Sequence, residues 1–431
     1  MLAAVAAYSG DLDLAEECTA DAFERALGSW PRDGIPERPG AWLTTAARRR
    51  AIDELRRRAS LRRKLPYLIE PDGWAAAADG SAADGSAGGG SAQDGAAEDG
   101  SAGHGSAPVP EPDWTAEIPD DRLRLIFTCC HPALSREAQV ALTLRMLCGL
   151  STAEIARAFL VGEPTMAARV TRAKKKIAAA RIPYRVPPAA ELPDRLDAVL
   201  TVLHLLFTTG HTAPSGPGLL RADLTERAIG LGRLVVGLMP DEAEAKGLLA
   251  LMLLDEARAA TRADERGDVV LLADQDRSRW DRPMIEDGRT VLVAALRTGG
   301  RPGRFALQAA IAGVHADAAT FAETDWPQIV GLYDLLLRAW PTPVVALNRA
   351  VAVSFAEGPA AGLAELDRLT EQDRAALSGY HYLPAARGDL LRRSGRPDEA
   401  ATAYREALDR CGNEPERRFL GRRLAELESL S

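Results

Sequence analysis

Residues 151–181 are the stretch that most constrains what this chain folds into. Their sequence is STAEIARAFLVGEPTMAARVTRAKKKIAAAR. Ser151, followed three residues later by Glu154, predicts a capping box at the start of a short helix. Gly162 is able to adopt positive φ in the turn that follows, and Pro164 suits the first turn of a second helix. Two short helices joined by a glycine-bearing turn predict a helix-turn-helix.

The second of these helices has an apolar face and a basic face. One apolar stripe at 4-3-4 spacing is formed by Met166, Val170, Ala173 and Ile177. The opposite face is expected to carry Thr165, Arg169, Arg172, Lys175 and Lys176. Residues 164–182 contain six Lys or Arg and no acid. The pattern favours a recognition helix in a DNA major groove over a solvated basic helix on an enzyme.

Composition sets broad limits on the class of protein. The chain has 431 residues, 46% of them hydrophobic and 26% charged, with a net charge of −8. This length allows two to four domains, and the negative net charge argues against a uniformly basic coat for nucleic acid. The five scattered cysteines do not form a disulfide framework, and no long uncharged apolar stretch predicts a transmembrane helix. We therefore expect a soluble protein of the reducing cytoplasm.

Residues 11–30 predict an acidic amphipathic helix. Between residues 1 and 40 there are eight acids and three arginines. The inner face is expected to consist of Leu12, Ala15, Thr19, Ala22, Phe23 and Ala26. The outer face is expected to carry Asp13, Glu16, Glu17, Asp21 and Glu24. Such a face is either simply solvated or docks on a basic partner, and the pattern alone favours neither.

The next predicted helix is basic. Prolines and glycines predict a loop over 31–40, and apolar periodicity predicts a helix over 41–58. Residues 41–66 contain nine Lys or Arg and two acids. The outward face is expected to carry Trp42, Arg49, Asp53 and Arg56. An outward tryptophan among arginines suits a base stacked on the ring and phosphates held by the guanidinium groups, whereas a core tryptophan beside solvated arginines is the alternative.

Residues 71–121 have a composition of their own, dominated by Gly, Ala, Ser and Asp. They contain eleven acids and no Lys or Arg. Such a segment cannot bury enough apolar surface to offset the entropy of ordering, so a disordered acidic linker is predicted over 71–119. It is either an inert spacer or a mimic of nucleic-acid charge that occupies a basic channel. Two helices with Asp120 and Ser135 as N-caps are predicted to follow.

Residues 193–431 predict helices almost throughout, and the last part is repetitive. A tetratricopeptide-like pattern of small and aromatic contacts falls on Gly388, Leu391, Ala400, Tyr404 and Ala407. A copy 38 residues earlier matches it at Ala350, Val353, Gly362, Leu366 and Leu369. Stacked helix pairs of this kind leave a concave groove for a partner.

The sequence shows no catalytic motif. H-E-x-x-H, G-x-S-x-G and the phosphate-binding G-x-x-x-x-G-K-[ST] are all absent. The spacing of structural zinc sites is not matched by Cys129, Cys130, His131 and Cys148. The charged segment 274–288 is expected to be an ion-pair network rather than a ligand site. We therefore expect no enzyme activity, no cofactor and no metal.

The order of these segments resembles bacterial RNA polymerase sigma factors of the extracytoplasmic-function type. LAEECTADAFERAL resembles the region-two helix that docks on the polymerase clamp, and GAWLTTAARRRAIDELRRR resembles the helix that opens and reads the −10 element. VGEPTMAARVTRAKKKI resembles the region-four helix that reads the −35 element. Four further segments resemble the subgroup that carries a long tetratricopeptide-like C-terminal extension: DDRLRLIFTCCHPALS, DQDRSRW, ALNRAVAV and NEPERRFL. The resemblance therefore covers almost the whole chain.

The resemblance implies an all-α fold in four parts. These are a region-two domain over 1–70, a disordered acidic linker over 71–119, a region-four helix-turn-helix domain over 120–182 and a tetratricopeptide-like extension over 193–431. Two departures from the family pattern are visible. Only about ten residues precede Asp11, so a shortened first helix of region two is expected. Ala20 stands where the family usually has a glutamine at the clamp contact.

The resemblance also implies partners. Core RNA polymerase is expected to bind Asp13, Glu17, Asp21 and Glu24. In promoter DNA, the melted −10 strand is expected to meet Trp42, Arg49 and Arg56, with a flipped base held by the loop 31–40. The −35 element is expected to meet Thr165, Arg169, Arg172, Lys175 and Lys176.

Within the −35 contact, the residue types imply different roles. Arg169 and Arg172 are expected to read guanines, and Lys174, Lys175 and Lys176 to hold phosphates. A small protein of the DGPF type is suggested as a partner of the C-terminal extension. The alternative interpretation is a helix-turn-helix regulator that never joins polymerase and uses its helical half as a sensor or scaffold.

Overall fold

The structure, a computed structural model, describes residues 1–68, 118–147, 149–159, 161–185, 187, 191–213 and 216–429. Within these ranges the regular structure consists of nineteen α-helices and two short 3-10 turns, with no named strand. The two isolated β-bridges there join Gly216 to Asn413 and Ala263 to Val269. The prediction of an all-α fold is confirmed.

The N-terminal unit consists of α1 (Leu2–Ser9), α2 (Leu12–Asp33) and α3 (Pro39–Leu68). At the end of α1, Gly10 adopts φ 65°, a conformation that favours glycine. Asp11 then caps α2, because its carboxylate accepts hydrogen bonds of 3.0 Å from the backbone N–H groups of Asp13 and Leu14. These caps fold α1 back against both α2 and α3.

The loop predicted over residues 31–40 is shorter in the structure. The helix α2 continues through Pro31 to Asp33, and α3 begins at Pro39, so the connection spans residues 34–38. Pro31 lies in the last turn of α2, where little helix remains to be disrupted, and Pro39 starts α3 at a position that needs no N–H donor. Pro31 and Pro39 therefore lie within the ends of the two helices, and not in the loop between them.

The predicted inner face of α2 is correct except at one aromatic residue. Buried positions along α2 are Leu12, Leu14, Ala15, Cys18, Ala22 and Ala26. Phe23, which was expected to point inward, is 50% exposed. The buried positions advance by three or four residues, so the residue directly after Ala22 lies about 100° around the helix from the core.

Four helices form the unit that contains the helix-turn-helix. They are α4 (Ile118–Cys129), α5 (Arg136–Met146), α6 (Thr152–Ala158) and α7 (Glu163–Ala179). Ser135 caps α5 as predicted, because its Oγ accepts a hydrogen bond from the N–H of Ala138. The prediction that Asp120 is an N-cap is wrong, because α4 already begins at Ile118. Of the predicted acidic linker, residues 71–117 lie outside the described residues.

A longer series of helices follows from residue 191. They are α8 (Leu192–His211), α9 (Ala222–Leu238), α10 (Ala243–Glu256), α11 (Arg282–Arg297), α12 (Arg304–Asp317), α13 (Trp326–Ala339), α14 (Pro343–Ala356), α15 (Pro359–Asp367), α16 (Glu371–Ala376), α17 (Tyr382–Arg393), α18 (Pro397–Arg410) and α19 (Glu414–Glu428). The short 3-10 turns are Ala259–Thr261 and Arg277–Arg279. Among the described residues, no helix has both the length and the apolar character needed to cross a bilayer.

The apolar core is divided in a way that crosses the predicted domain boundary. One cluster of buried side chains runs from Val5 to Ala316 and joins α1–α7 with α8–α12. A separate cluster, from Leu347 to Leu427, holds α14–α19 together. All ten small, aliphatic and aromatic positions of the predicted repeat are buried. Among them, Gly388 lies so close to Tyr404 that a Cβ would be 3.0 Å from the ring.

Candidate nucleic-acid interface

Local capping sets where each helix of the helix-turn-helix begins, with Ser151 before α6 and Gly162 before α7. Ser151 and Glu154 bond reciprocally, as predicted: the N–H of Ser151 donates to the carboxylate at 2.7 Å, and the N–H of Glu154 donates to Ser151 Oγ at 3.2 Å. The pKa of Glu154 is held below its ordinary value by the hydrogen bonds that its carboxylate accepts from the hydroxyl and from the N–H of Ser151. The expectation of positive φ at Gly162 is wrong, because Gly162 is an extended N-cap of α7 with φ −66°.

The helix α7 has the two faces that its sequence predicts. Its apolar stripe is buried at Met166, Val170, Ala173 and Ile177. The opposite side is exposed at Thr165, Arg172, Lys175 and Lys176. Arg169 is half-buried, and its guanidinium carbon lies 5.6 Å from the centre of the Phe159 ring. The five predicted DNA-contacting residues of α7 therefore lie beside one another on one side of the unit.

Lys174 lies on a different side of α7 and contacts α2. Its ammonium is 2.7 Å from Asp13 Oδ1 and also bonds Glu16, and its side chain is only 10% exposed. Burial lowers the pKa of Lys174, but the hydrogen bonds to the two carboxylates outweigh this and raise it. The expectation that Lys174 holds a phosphate is not met in this structure, because a 200° rotation along the helix separates it from Arg172.

Further contacts join α1 and α2 to the helix-turn-helix unit. Arg145 of α5 bonds Glu16 at 2.9 Å. The hydroxyl of Tyr184 donates to the carbonyl of Ala3 at 3.1 Å and lies 3.2 Å from the carbonyl of Asp121. The acidic helix and the basic helix of the chain are therefore held together by charge-assisted hydrogen bonds.

Three of the four acids predicted to face polymerase pair within the chain. Asp13 bonds Lys174, Asp21 bonds Arg50 at 2.7 Å, and Glu17 lies 3.5 Å from Arg50. Glu24 is exposed. The exposed fractions of Asp13 and Glu17, 74% and 52%, leave most of each side chain in contact with solvent.

The aromatic residue of α3 is oriented differently from the prediction. Trp42 was expected to face outward, but it is half-buried and packs edge-on against Trp30, with ring centres 5.6 Å apart. It belongs to the layer of partly buried side chains that packs on the main core. Arg49 and Arg56 are exposed as predicted. The basic face of α3 is therefore outward, whereas its tryptophan braces the contact with α2.

Sequence reasoning missed an exposed apolar patch on α2. Phe23 is 50% exposed and Leu27 is 79% exposed. The two residues are one helical turn apart and therefore lie side by side, with the exposed Ala20 on the preceding turn. The spacing of three or four residues between the buried positions of α2 contained the signal, since it leaves Phe23 and Leu27 on the outer side.

Comparison with known proteins finds family matches for three parts of the chain. Residues 1–61 match Sigma-70 region 2, and residues 124–177 match Sigma-70, region 4. Residues 195–296 match a family of unknown function, DUF6596. A protein of Rhizobium meliloti (strain 1021) named "Uncharacterized protein R00370" is 43% identical over 426 residues, which cover 99% of this chain and 93% of that protein.

A helix-turn-helix with an outward basic face, combined with a second basic helix in the N-terminal unit, defines a transcription factor of the sigma type. The chain carries regions 2 and 4 of the sigma-70 family, and it belongs to the same family as the Rhizobium meliloti protein. Sigma-factor-type promoter recognition follows from these two regions.

Proposed function

We propose that this protein is a dissociable sigma factor of the extracytoplasmic-function type, which joins core RNA polymerase and directs promoter recognition, DNA melting and initiation. The observation that carries the proposal is the presence, in one chain, of two basic helical faces in the regions that sigma-70 proteins use for DNA. The face of α7 and the face of α3 are both exposed, so both are accessible to promoter DNA.

In this proposal α7 reads the −35 element. Arg169 and Arg172 contact guanines, because an arginine can bond O6 and N7 of guanine together. Lys175 and Lys176 hold phosphates, which contribute affinity without sequence information. Thr165, at the start of the helix, contacts the DNA backbone or a base edge.

The N-terminal unit opens and holds the −10 element. Arg49 and Arg56 bind the phosphates of the melted strand, and the exposed connection 34–38 holds a flipped base. Trp42 offers the exposed part of its ring for stacking while Trp30 fixes its orientation.

The polymerase contact is proposed to lie on the outer side of α2. Phe23 and Leu27 supply an apolar centre, and Glu24, Glu17 and Asp21 supply negative charge beside it. Asp13 joins this surface when Lys174 releases it. Exposed apolar side chains bordered by charges are typical of protein-binding surfaces.

Residues 193–431 are proposed to be a tetratricopeptide-like extension that supports the active state. The close approach of Gly388 and Tyr404 and the packing of α17 on α18, which are joined by residues 394–396 alone, support this assignment. A small protein of the DGPF type is the proposed occupant of the groove between its helix pairs.

One observation favours the second interpretation, a helix-turn-helix regulator that never joins polymerase. The acids Asp13, Glu17 and Asp21 are already paired with lysine or arginine of the same chain. Polymerase would have to compete for these carboxylates, whereas DNA binding through α7 needs no such exchange.

Reconstitution separates the two interpretations. The full-length protein is mixed with core polymerase and a promoter library, and co-elution and promoter-specific transcripts are measured. We expect both, and we expect Phe23→Glu with Leu27→Glu to abolish co-elution while DNA binding is retained. Leu296→Glu, at a 46% exposed leucine of α11, is the matched control and should change neither. DNA binding without co-elution of the unmodified protein would remove the sigma-factor proposal.

A further inference from the structure

Three potential metal ligands meet in the C-terminal helices, far along the chain from the promoter-binding faces. They are the imidazole of His381, the thiol of Cys411 and the carboxylate of Glu416, and one ligand atom from each lies within 4.8 Å of the others. All three are shielded from solvent: Cys411 is 4% exposed, and the side chains of His381 and Glu416 are 16% and 13% exposed. The sequence pattern did not predict this cluster.

Each ligand comes from the end of a different helix. His381 immediately precedes α17, Cys411 immediately follows α18, and Glu416 lies in the first turn of α19. The hydrogen bond that Asn413 Oδ1 accepts from the N–H of Glu416 fixes the start of α19. The ends of α17, α18 and α19 therefore bring these three side chains to one point.

The distances suit a small tetrahedral ion. Nε2 of His381 is 3.3 Å from Oε2 of Glu416, and Sγ of Cys411 is 4.0 Å from the same oxygen. Zinc bonds of about 2.0–2.3 Å place neighbouring ligand atoms about 3.3–3.8 Å apart. Small rotations of the side chains are enough to bring the three atoms to an ion between them.

One polar atom of the cluster lacks a hydrogen-bond partner among the described residues. Nε2 of His381 is buried and makes no hydrogen bond, although Glu416 is close. The other carboxylate oxygen of Glu416, Oε1, accepts a hydrogen bond from the hydroxyl of Tyr382. Oε2 therefore remains directed at His381 and Cys411, and Tyr382 orients the carboxylate as an outer partner does in metal sites.

Charge balance also fits a divalent ion. A thiolate and a carboxylate together carry two negative charges, which neutralise Zn²⁺ in a site largely shielded from bulk solvent, and a neutral imidazole adds none. A mixed sulfur, nitrogen and oxygen ligand set prefers zinc over the hard cations magnesium and calcium.

We propose that His381, Cys411 and Glu416 bind one Zn²⁺ ion, with water as the fourth ligand. This departs from the expectation, based on sequence, that the chain holds no metal. The ion joins the ends of α17, α18 and α19 beside Asn413, whose side-chain amide donates to the carbonyls of Ala213 and Gly218. Zinc therefore stabilises the junction at which the C-terminal helices meet the segment after α8.

The alternative for the same residues is a metal-free ion pair between His381 and Glu416. Metal content of the full-length protein, purified without chelator and then dialysed against micromolar Zn²⁺, separates the two. We expect about one zinc per chain by mass spectrometry, and thiolate-to-metal charge-transfer absorption when Co²⁺ replaces Zn²⁺. Zinc should also raise the thermal unfolding temperature, since a ligand of the native state stabilises it.

Matched variants assign the metal to this cluster. Cys411→Ala should lose the zinc and the cobalt charge-transfer band, and Glu416→Gln should weaken zinc binding at least tenfold. Cys18→Ala, which changes another buried cysteine in α2, should keep both the zinc and the band. Circular dichroism confirms that each variant is folded. Absence of zinc from the unmodified protein, or equal zinc in Cys411→Ala, would overturn the proposal and leave the ion pair.

Discussion

Lys174 and Asp13 are separated by 161 residues in the sequence, yet the ammonium of one lies 2.7 Å from the carboxylate of the other. The contact joins the helix proposed to read the −35 element to the helix proposed to bind polymerase. Glu16, about one turn further along α2 than Asp13, bonds both Lys174 and Arg145. The two regions of the sigma-70 family are therefore held to each other directly in this structure.

Replacing Lys174 should weaken this attachment. We expect Lys174→Ala to lower the free energy of unfolding by about 1–2 kcal/mol, because Lys174 is largely buried whereas Asp13 is mostly exposed. The measurement is urea unfolding at neutral pH. The exposed Lys175→Ala is the matched control and should change the free energy by less than about 0.5 kcal/mol.

A double-mutant cycle tests whether the lost free energy of unfolding comes from the contact between Lys174 and Glu16. Lys174→Ala and Glu16→Gln should show a coupling free energy of at least about 0.5 kcal/mol. Strict additivity of the two changes would show that the contact between Lys174 and Glu16 contributes nothing to holding α2 on α7.

The contact of Lys174 with α2 shows which features the sequence could predict and which it could not. The capping box at Ser151 and the apolar stripe of α7 depend on residues within one or two helical turns, so the local pattern was sufficient. The partner of Lys174 is fixed by tertiary packing of two units, and no local pattern contains that information. The same holds for Trp42, whose contact with Trp30 depends on how α2 and α3 cross.

The proposed metal site shows the same limit. His381, Cys411 and Glu416 are 30 and five residues apart along the chain, and this spacing matches no structural zinc motif. They meet only because α17, α18 and α19 pack with adjacent ends. The repeat pattern predicted contact positions in α17 and α18 that are buried in the structure, but not which polar side chains the ends of α17, α18 and α19 bring together.

Different residues on the basic face of α7 should read the DNA sequence and bind phosphate. We expect Arg172→Ala to weaken binding to a cognate promoter by about 1–3 kcal/mol and to relax sequence preference, if the arginine contacts a guanine with two hydrogen bonds. Lys175→Ala should weaken all sequences alike and reduce the salt slope by about 1. Titrations on cognate and scrambled DNA at several salt concentrations make the measurement. An equal loss on every sequence for both variants would place Arg172 on phosphate.

Close helix packing makes two glycines respond to alanine in opposite directions. A Cβ on Gly247 of α10 would lie 2.5 Å from the backbone nitrogen of Ala306 in α12, so Gly247→Ala should destabilise by about 1–3 kcal/mol. A Cβ on Gly230 of α9 would meet no atom within 4 Å, so Gly230→Ala should stabilise by about 0.5–1 kcal/mol through helix propensity. Thermal unfolding of both variants checks the sign. A stabilised Gly247→Ala would contradict the close crossing of α10 and α12.

Buried histidines should make the protein less stable in mild acid. Burial, reinforced by neighbouring arginines, lowers the pKa of His204 and of His315 to about 4 and that of His211 to about 3. An unfolded histidine binds a proton below about pH 6.5, whereas these native side chains do not until the pH is far lower. Stability is therefore fully present above pH 6.5 and is lost as the pH falls from about 6.5 to about 4.

The measurement is the free energy of unfolding at several pH values in that window. His204→Gln should reduce the slope against pH, because it removes one group that binds a proton only after unfolding. The difference in slope between the two proteins should disappear above about pH 7, where an unfolded histidine no longer binds a proton. An unchanged slope in His204→Gln would show that His204 is accessible to protons in the native state.

The last prediction concerns the C-terminal half of the chain. Helices α4 and α5 pack against α8 and α9, and Arg136 of α5 bonds Asp197 of α8 at 2.7 Å. Deleting residues 193–431 removes half of the cluster that contains the core of the helix-turn-helix unit. We therefore expect this deletion to abolish transcription from a cognate promoter and to destabilise α4 and α5, rather than to leave an intact DNA-binding unit.

A shorter deletion separates loss of core from loss of the extension's own function. Deleting residues 343–431 removes the second cluster but leaves α8–α12 in place, so DNA binding should persist. If the C-terminal helices support the active state, this shorter protein should bind promoter DNA yet initiate less transcription than the full chain. Helical content measured by circular dichroism, together with DNA affinity, shows whether each fragment is folded.

Higher transcription from a folded 1–192 fragment would instead make the C-terminal half a tethered inhibitor, because it would show that α4–α7 fold and function without α8–α12.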